Sequence, residues 1–142
     1  MKWTTVAICA LLIVSVYSKL GDPPIRTGPE LLKYMYGDLQ GTYIIMFFKK
    51  SAPESRTSSM RKEVKEKILN KYPDFHYHEA DVDSGTYNDV VDNFRVDMVE
   101  LKFSPTLMVA SEGRGYWSHG EDSVTEIVGK LDEFSGELRR QK

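Results

Sequence analysis

The side chains able to do chemistry in this chain fall into a few short groups. Ser51-Ala52-Pro53-Glu54 sets a hydroxyl three residues ahead of a carboxylate, and His76 and His78 sit two apart. Asp81-x-Asp83-x-Gly85 spaces two carboxylates before a glycine, and Tyr116-Trp117 offers adjacent rings. A Ser51 nucleophile would need a neighbouring base, but His76, His78 and His119 are all remote from it in sequence. Ser51 and Glu54 instead fit a capping box, satisfying the orphan amides where a helix begins. Anion or glutathione binding at that helix start is opposed by Glu54, whose carboxylate already occupies the positive end of the dipole. His76 and His78 lie on one face of a strand, about 7 Å apart, a spacing found in some metal sites. No third ligand is placed by sequence, so two surface imidazoles and no metal are expected. The Asp81 run starts like a calcium loop but fails, with Gly85 at the fifth ligand position and Asp92 at the twelfth. Asp83 or Ser84 is expected to cap the next helix, and Tyr116 and Trp117 to pack on the C-terminal helix. Cys9 is the only cysteine, which excludes an intramolecular disulfide, dithiol chemistry and a multi-cysteine metal site. No cofactor is implied.

Holding such groups in place takes a folded domain, and the composition permits one. With 41% hydrophobic and 28% charged residues the chain is neither disordered nor collagen-like, and 142 residues make a single domain. A net charge of −2 excludes a strongly basic nucleic-acid binder.

Residues 3–18 carry no charged side chain and are flanked by Lys2 and Lys19. Two readings fit. A secretory signal peptide has this basic start, apolar middle and small-residue cleavage site, here near Ser18. A retained anchor would span roughly 24 Å, slightly less than a hydrocarbon core of about 30 Å. Residues 1–20 are therefore set apart as signal or anchor, and 21–142 as the domain.

Ile25-Arg26 is a candidate brief first strand after the Gly21–Pro24 linker. Thr27-Gly-Pro-Glu30 starts a helix, with Thr27 as its cap and Glu30 reaching back. Thr42–Phe48 is a near-continuous apolar run of β-formers, the pattern of a strand buried on both faces. Met60, Val64 and Ile68 then form a narrow stripe on a charged helix ended by Pro73. Phe75–Ala80 alternates as a strand, Tyr87 to Phe94 marks a helix, and Phe103–Ala110 is a further strand. Glu112–Gly115 turns the chain into strand 115–118, and a helix follows from about Asp122 to Leu138, with Phe134 and Leu138 on its apolar side. The order β-α-β-α-β-α-β-β-α predicts an α/β fold with helices on both faces of a mixed sheet.

That order, with Ser104-Pro105-Thr106 opening the penultimate strand, resembles the thioredoxin family over roughly residues 23–138. The resemblance implies a sheet in the order 1-3-2-4-5, preceded here by a short apolar N-terminal helix. It implies a cis-proline at Pro105, an acidic turn at Asp81-Val-Asp83 and a helix-opening glycine at Gly120. It places Ser51, Ala52, Pro53 and Glu54 where the family carries Cys-Gly-Pro-Cys. The buried acid of the family falls among Ile44 to Phe47 and is missing, and Asp97 to Lys102 lengthens the connection before Pro105. A redox-inactive, non-enzymatic relative follows. The first expectation is an accessory or scaffold subunit of a complex at the endoplasmic reticulum or mitochondrial inner membrane, tethered through residues 3–18. The alternative is a soluble lumenal or secreted module pairing an extended peptide beside Pro105, and a Ser51-dependent enzyme ranks last. From Lys49 to Lys71 eight basic residues stand against three acidic, a net of +5, and from Asp74 to Glu100 eight acidic against Arg95, a net of −7. These stretches are expected on opposite faces, with Arg61, Lys62 and Lys65 binding a partner subunit or anionic headgroups.

Overall fold

The apolar run Thr42–Phe48 forms strand β1 at the centre of the molecule, its five inner residues all buried. A computed structural model describes residues 26–36, 41–111 and 114–140, with side chains at 34, 35 and 134–140 left aside. Helix α1 (Gly28–Tyr36) precedes β1, and α2 (Glu54–Val64) follows it, extended by a π turn over Lys65–Leu69. Then come β2 (His76–Asp81), a 3₁₀ turn (Val82–Ser84), α3 (Asn88–Phe94), a second 3₁₀ turn (Glu100–Lys102), β3 (Thr106–Ser111), β4 (Arg114–His119) and α4 (Ser123–Arg140).

The sheet runs β2-β1-β3-β4, with β1 and β2 parallel and both other pairings antiparallel. Among the described residues this is the expected mixed order without its first strand. Four strands are present among the described residues; Arg26 is not in a strand, and Ile25 lies outside them. The same is true of the linker 21–24, of Glu112 and Gly113 in the β3–β4 turn, and of the Phe134 and Leu138 side chains.

Alternation along β1 divides the core. Tyr43, Ile45 and Phe47 face α1 and α3, packing with Leu31, Val90 and Val91. Ile44 and Met46 face α2 and α4, packing with Met60, Val64, Ile68 and Ile127. Helices thus cover both faces, and the basic helix α2 and the acidic helix α3 lie on opposite sides, as the expected fold implies. Thr27 caps α1 as expected: its hydroxyl accepts from Glu30 N–H at 3.4 Å, while the Glu30 carboxylate reaches back to Arg26 N–H at 2.7 Å.

Among the described residues no helix is long and apolar enough to cross a membrane. The tethered reading is corrected accordingly, and with it the placement at the endoplasmic reticulum or mitochondrial inner membrane. The apolar helix, anchor and signal peptide all rested on residues 3–18, which lie outside the described residues.

Candidate functional site

The strand register gathers the candidate residues at one end of the sheet. Phe48 pairs with Asp81, Phe47 with Thr106, and Thr106 with His119. The loops carrying Ser51, Asp83, Pro105 and Gly120 therefore all leave the sheet at this end.

Ser51 does not cap α2. The cap position is Pro53, and no side chain bonds to the free amides there. Instead the Ser51 amide and hydroxyl both donate to Asp83 Oδ2, at 2.9 and 2.7 Å. The ionised carboxylate draws both donors of Ser51 toward itself and away from the start of α2, since charge-assisted bonds are about twice as strong as neutral ones. Its position is fixed by Asp81, whose Oδ1 accepts from Asp83 N–H at 3.0 Å and from Lys50 N–H at 3.3 Å. The Ser51 hydroxyl and amide hold the Asp83 carboxyl below its ordinary range. Glu54, also freed from capping, accepts from the Ser58 hydroxyl at 3.0 Å. Neither Asp83 nor Ser84 caps α3, which begins after Tyr87 without a side-chain cap; Asp81 caps the short turn before it.

The two histidines share a face of β2 but are built into the packing rather than left on the surface. His76 stacks on Tyr43 with ring centroids 4.7 Å apart, and His78 Nε2 meets the Tyr87 hydroxyl at 3.0 Å. Burial depresses the His78 pKa, and the nearby Glu79 charge only partly opposes it. Among the described residues no group of three His, Cys, Asp or Glu side chains is arranged to hold a metal ion.

Pro105 is buried, and the Ser104–Pro105 bond is trans, since no described peptide bond is cis. The lengthened connection accounts for the departure. Its residues fold into a helical turn, with Phe103 N–H and Ser104 N–H both returning to Glu100 O at 2.9 and 3.1 Å. The chain enters β3 directly out of this turn, with the ordinary trans isomer at Pro105.

The same turn builds a cleft that sequence reasoning missed. About 470 Å³ of space lies between Glu100, Phe103 and Ser104 on one side and the end of β4 with Glu126 of α4 on the other. Phe103 is 70% exposed and Trp117 40%. Tyr116 faces α4, where Lys130 Nζ stands 5.4 Å from its ring centre, but Trp117, the next residue along the strand, faces the opposite side. The expectation that Trp117 packs on the C-terminal helix is corrected by this alternation. His119 Nδ1 lies 2.5 Å from Thr106 Oγ1 and 3.4 Å from Glu100 Oε2, while the Ser118 hydroxyl donates to Glu126. A signal was present in the sequence: Met98 and Val99 are apolar residues in a connection that belongs to no periodic element, while Phe103, expected to open the strand, lies before β3 and is exposed.

Of the three residues expected to bind a partner, Lys62 on α2 and Lys65 in the π turn that extends it are exposed. Arg61 turns inward and grips Glu79 with two bonds, Nε to Oε2 at 2.7 Å and Nη2 to Oε1 at 2.8 Å. The Tyr77 hydroxyl donates to the same carboxylate at 2.7 Å. Burial raises the Glu79 pKa, but the bonds from Arg61 and Tyr77 outweigh it and the net direction is down.

No family model matches the chain, and no curated protein matches its sequence. Its structure is similar to solved thioredoxins. Thioredoxin from Trypanosoma brucei brucei superposes with a TM-score of 0.60 at 15% identity, over 79% of this chain and 88% of that one. Thioredoxin O2 from Arabidopsis thaliana gives 0.60 at 19% identity, over 77% and 90%. Mitochondrial thioredoxin 3 from Saccharomyces cerevisiae gives 0.58 at 15%, over 77% and 92%. The fold is that of thioredoxin. With Cys9 its only cysteine, the chain has no dithiol pair and is not a dithiol oxidoreductase.

Proposed function

We propose that the chain is a non-catalytic thioredoxin-like binding module, lumenal or secreted, that holds an extended segment of a partner protein beside Ser104–Pro105. Ser51 lies between β1 and α2 and Glu54 opens α2, the positions that the family resemblance assigns to a dithiol, and the Ser51 hydroxyl donates to Asp83. The observation that carries the reading is the cleft next to Ser104, where Phe103 and Trp117 hold large apolar surfaces in water. Met98 and Val99, in the connection that leads to the cleft, are also exposed. Exposed aromatic residues around a concavity mark recognition sites, because their burial on binding supplies the affinity. β4 borders the cleft and is the last strand of the sheet, so a segment lying there has both a groove and a strand edge to use.

The test is binding of the purified chain to an array of unstructured peptides, read against Phe103→Ser and Trp117→Ser. Wild type should retain a subset of peptides and both variants should lose it while keeping the circular dichroism of the fold. Equal retention by wild type and variants would place the contact elsewhere, and no retention by wild type would overturn the reading.

A further inference from the structure

The cleft at the end of β4 has a chemistry narrower than an apolar groove. We infer that it selects a segment carrying a positively charged side chain, arginine or lysine, whose stem crosses the Trp117 ring beside Glu100 and whose head reaches past the edge of β4 toward Glu126; this rests on the binding-module reading above. Its walls contain two carboxylates and no lysine or arginine. The carboxylates come from separate elements, Glu100 from the turn before β3 and Glu126 from the first turn of α4. Among the described residues, neither is paired with a lysine or arginine. Glu126 accepts a serine hydroxyl, and Glu100 faces a histidine at 3.4 Å. Glu121, close by in sequence, is by contrast paired with Arg56.

The aromatic walls strengthen the same preference. An indole face attracts a cation within about 6 Å of its centre, and more strongly once water is excluded. The aliphatic stem of an arginine or lysine covers an apolar ring while its head reaches the carboxylates. A neutral side chain of similar length would gain the apolar contact and leave both carboxylates to lose water without a partner, which costs affinity. An acidic one would add repulsion. The cleft thus combines attraction for one charge with rejection of the other.

Four peptides of one extended sequence, differing only at a central residue (arginine, lysine, glutamine or glutamate), test this. Binding is followed by Trp117 fluorescence in a Trp3→Phe background, which leaves a single indole. The arginine and lysine peptides should bind at least tenfold more tightly than the glutamine peptide, with the gap narrowing in raised salt. In Glu100→Gln/Glu126→Gln, which keeps the shapes and the hydrogen-bond acceptors, the gap should fall to twofold or less. Equal binding of the arginine and glutamine peptides, both abolished by Phe103→Ser, would overturn the charge selection and leave the binding-module reading standing. No binding of any of the four would overturn the charge selection here, and the peptide array decides separately whether the module reading falls with it.

Discussion

A single oxygen of Asp83 accepts both the amide and the hydroxyl of Ser51, at 2.9 and 2.7 Å, and so ties the loop after β1 to the loop after β2. Because these bonds favour the ionised form, the Asp83 carboxyl titrates lower in the folded chain than in the unfolded one. A carboxyl shifted in that direction stabilises the fold above its unfolded pKa and loses its contribution as pH falls through the folded one. Wild type should therefore be more stable than Asp83→Asn at pH 7, and the two should converge below the carboxylate range. Urea midpoints at pH 7 and pH 2.5 measure this, and a constant difference would show that Asp83 acts through something other than its charge.

The same clamp decides what restoring cysteines would do. In Ser51→Cys/Glu54→Cys the new thiol at position 51 would face a carboxylate, and a thiolate there is disfavoured by like charge. The middle of β1 is wholly apolar and carries no buried acid to assist. The double variant should reduce insulin only weakly, and adding Asp83→Asn should raise the rate several-fold. Full activity with Asp83 intact would show that the clamp opens in solution.

Arg61 and its neighbours on α2 should behave differently from one another. Arg61→Glu sets a carboxylate against the half-buried Glu79 and removes two bonds, so a loss of about 2–3 kcal/mol is expected. Lys62→Glu and Lys65→Glu change exposed positions and should stay within about 0.5 kcal/mol of wild type. Chemical denaturation of the three variants separates them. A stable Arg61→Glu protein would return Arg61 to the free basic surface that its charge suggests.

Much of the fold was legible because periodicity is a local record of burial. The run 42–48 announced a strand covered on both faces, and Met60, Val64 and Ile68 announced the inward stripe of α2. The site was less legible, for reasons that lie in long-range contacts. Ser51 and Glu54 have the spacing of a capping box, but Asp83, thirty-two residues on, competes for the hydroxyl. Pro105 has the sequence context of a cis-proline, but the residues before it fold into a turn that enters β3 with a trans bond. Arg61 reads as one more surface cation until β2 brings Glu79 beneath it. Trp117 reads as core, but alternation along β4 turns it away from α4 and leaves it exposed.

His78 should titrate below the usual histidine value of about 6.5. Burial disfavours its charged form, and the Tyr87 hydroxyl 3.0 Å away bonds equally well to the neutral ring. Below pH 6.5 the unfolded chain takes up a proton that folded His78 refuses, so stability is lost as pH falls from that value toward the folded pKa. NMR titration of the ring should give a midpoint under 6.5, and His78→Gln should flatten this part of the stability profile. A midpoint at or above 6.5 would mean that Glu79 outweighs burial.

Arg95 ends α3 in the left-handed region, at φ 50° and ψ 44°, and is the only described residue other than glycine with positive φ. Its amide bonds to Asp92 O at 3.3 Å and the next, Val96 N–H, to Val91 O at 3.0 Å, the pair of bonds that closes a helix through a left-handed residue. Glycine ordinarily holds this position, because a Cβ there costs roughly 1–2 kcal/mol. The Arg95 side chain is exposed, so removing it gives up little packing. Glycine brings its own cost, about 0.5–1 kcal/mol of extra freedom in the unfolded chain. The balance favours the substitution: Arg95→Gly should stabilise the fold by about 0.5 kcal/mol, and Arg95→Val, branched at Cβ, should destabilise it by about 1 kcal/mol. Urea denaturation of the two variants beside wild type reads both signs. If Arg95→Gly is the less stable protein, the arginine side chain makes a contact worth more than the strain of its backbone.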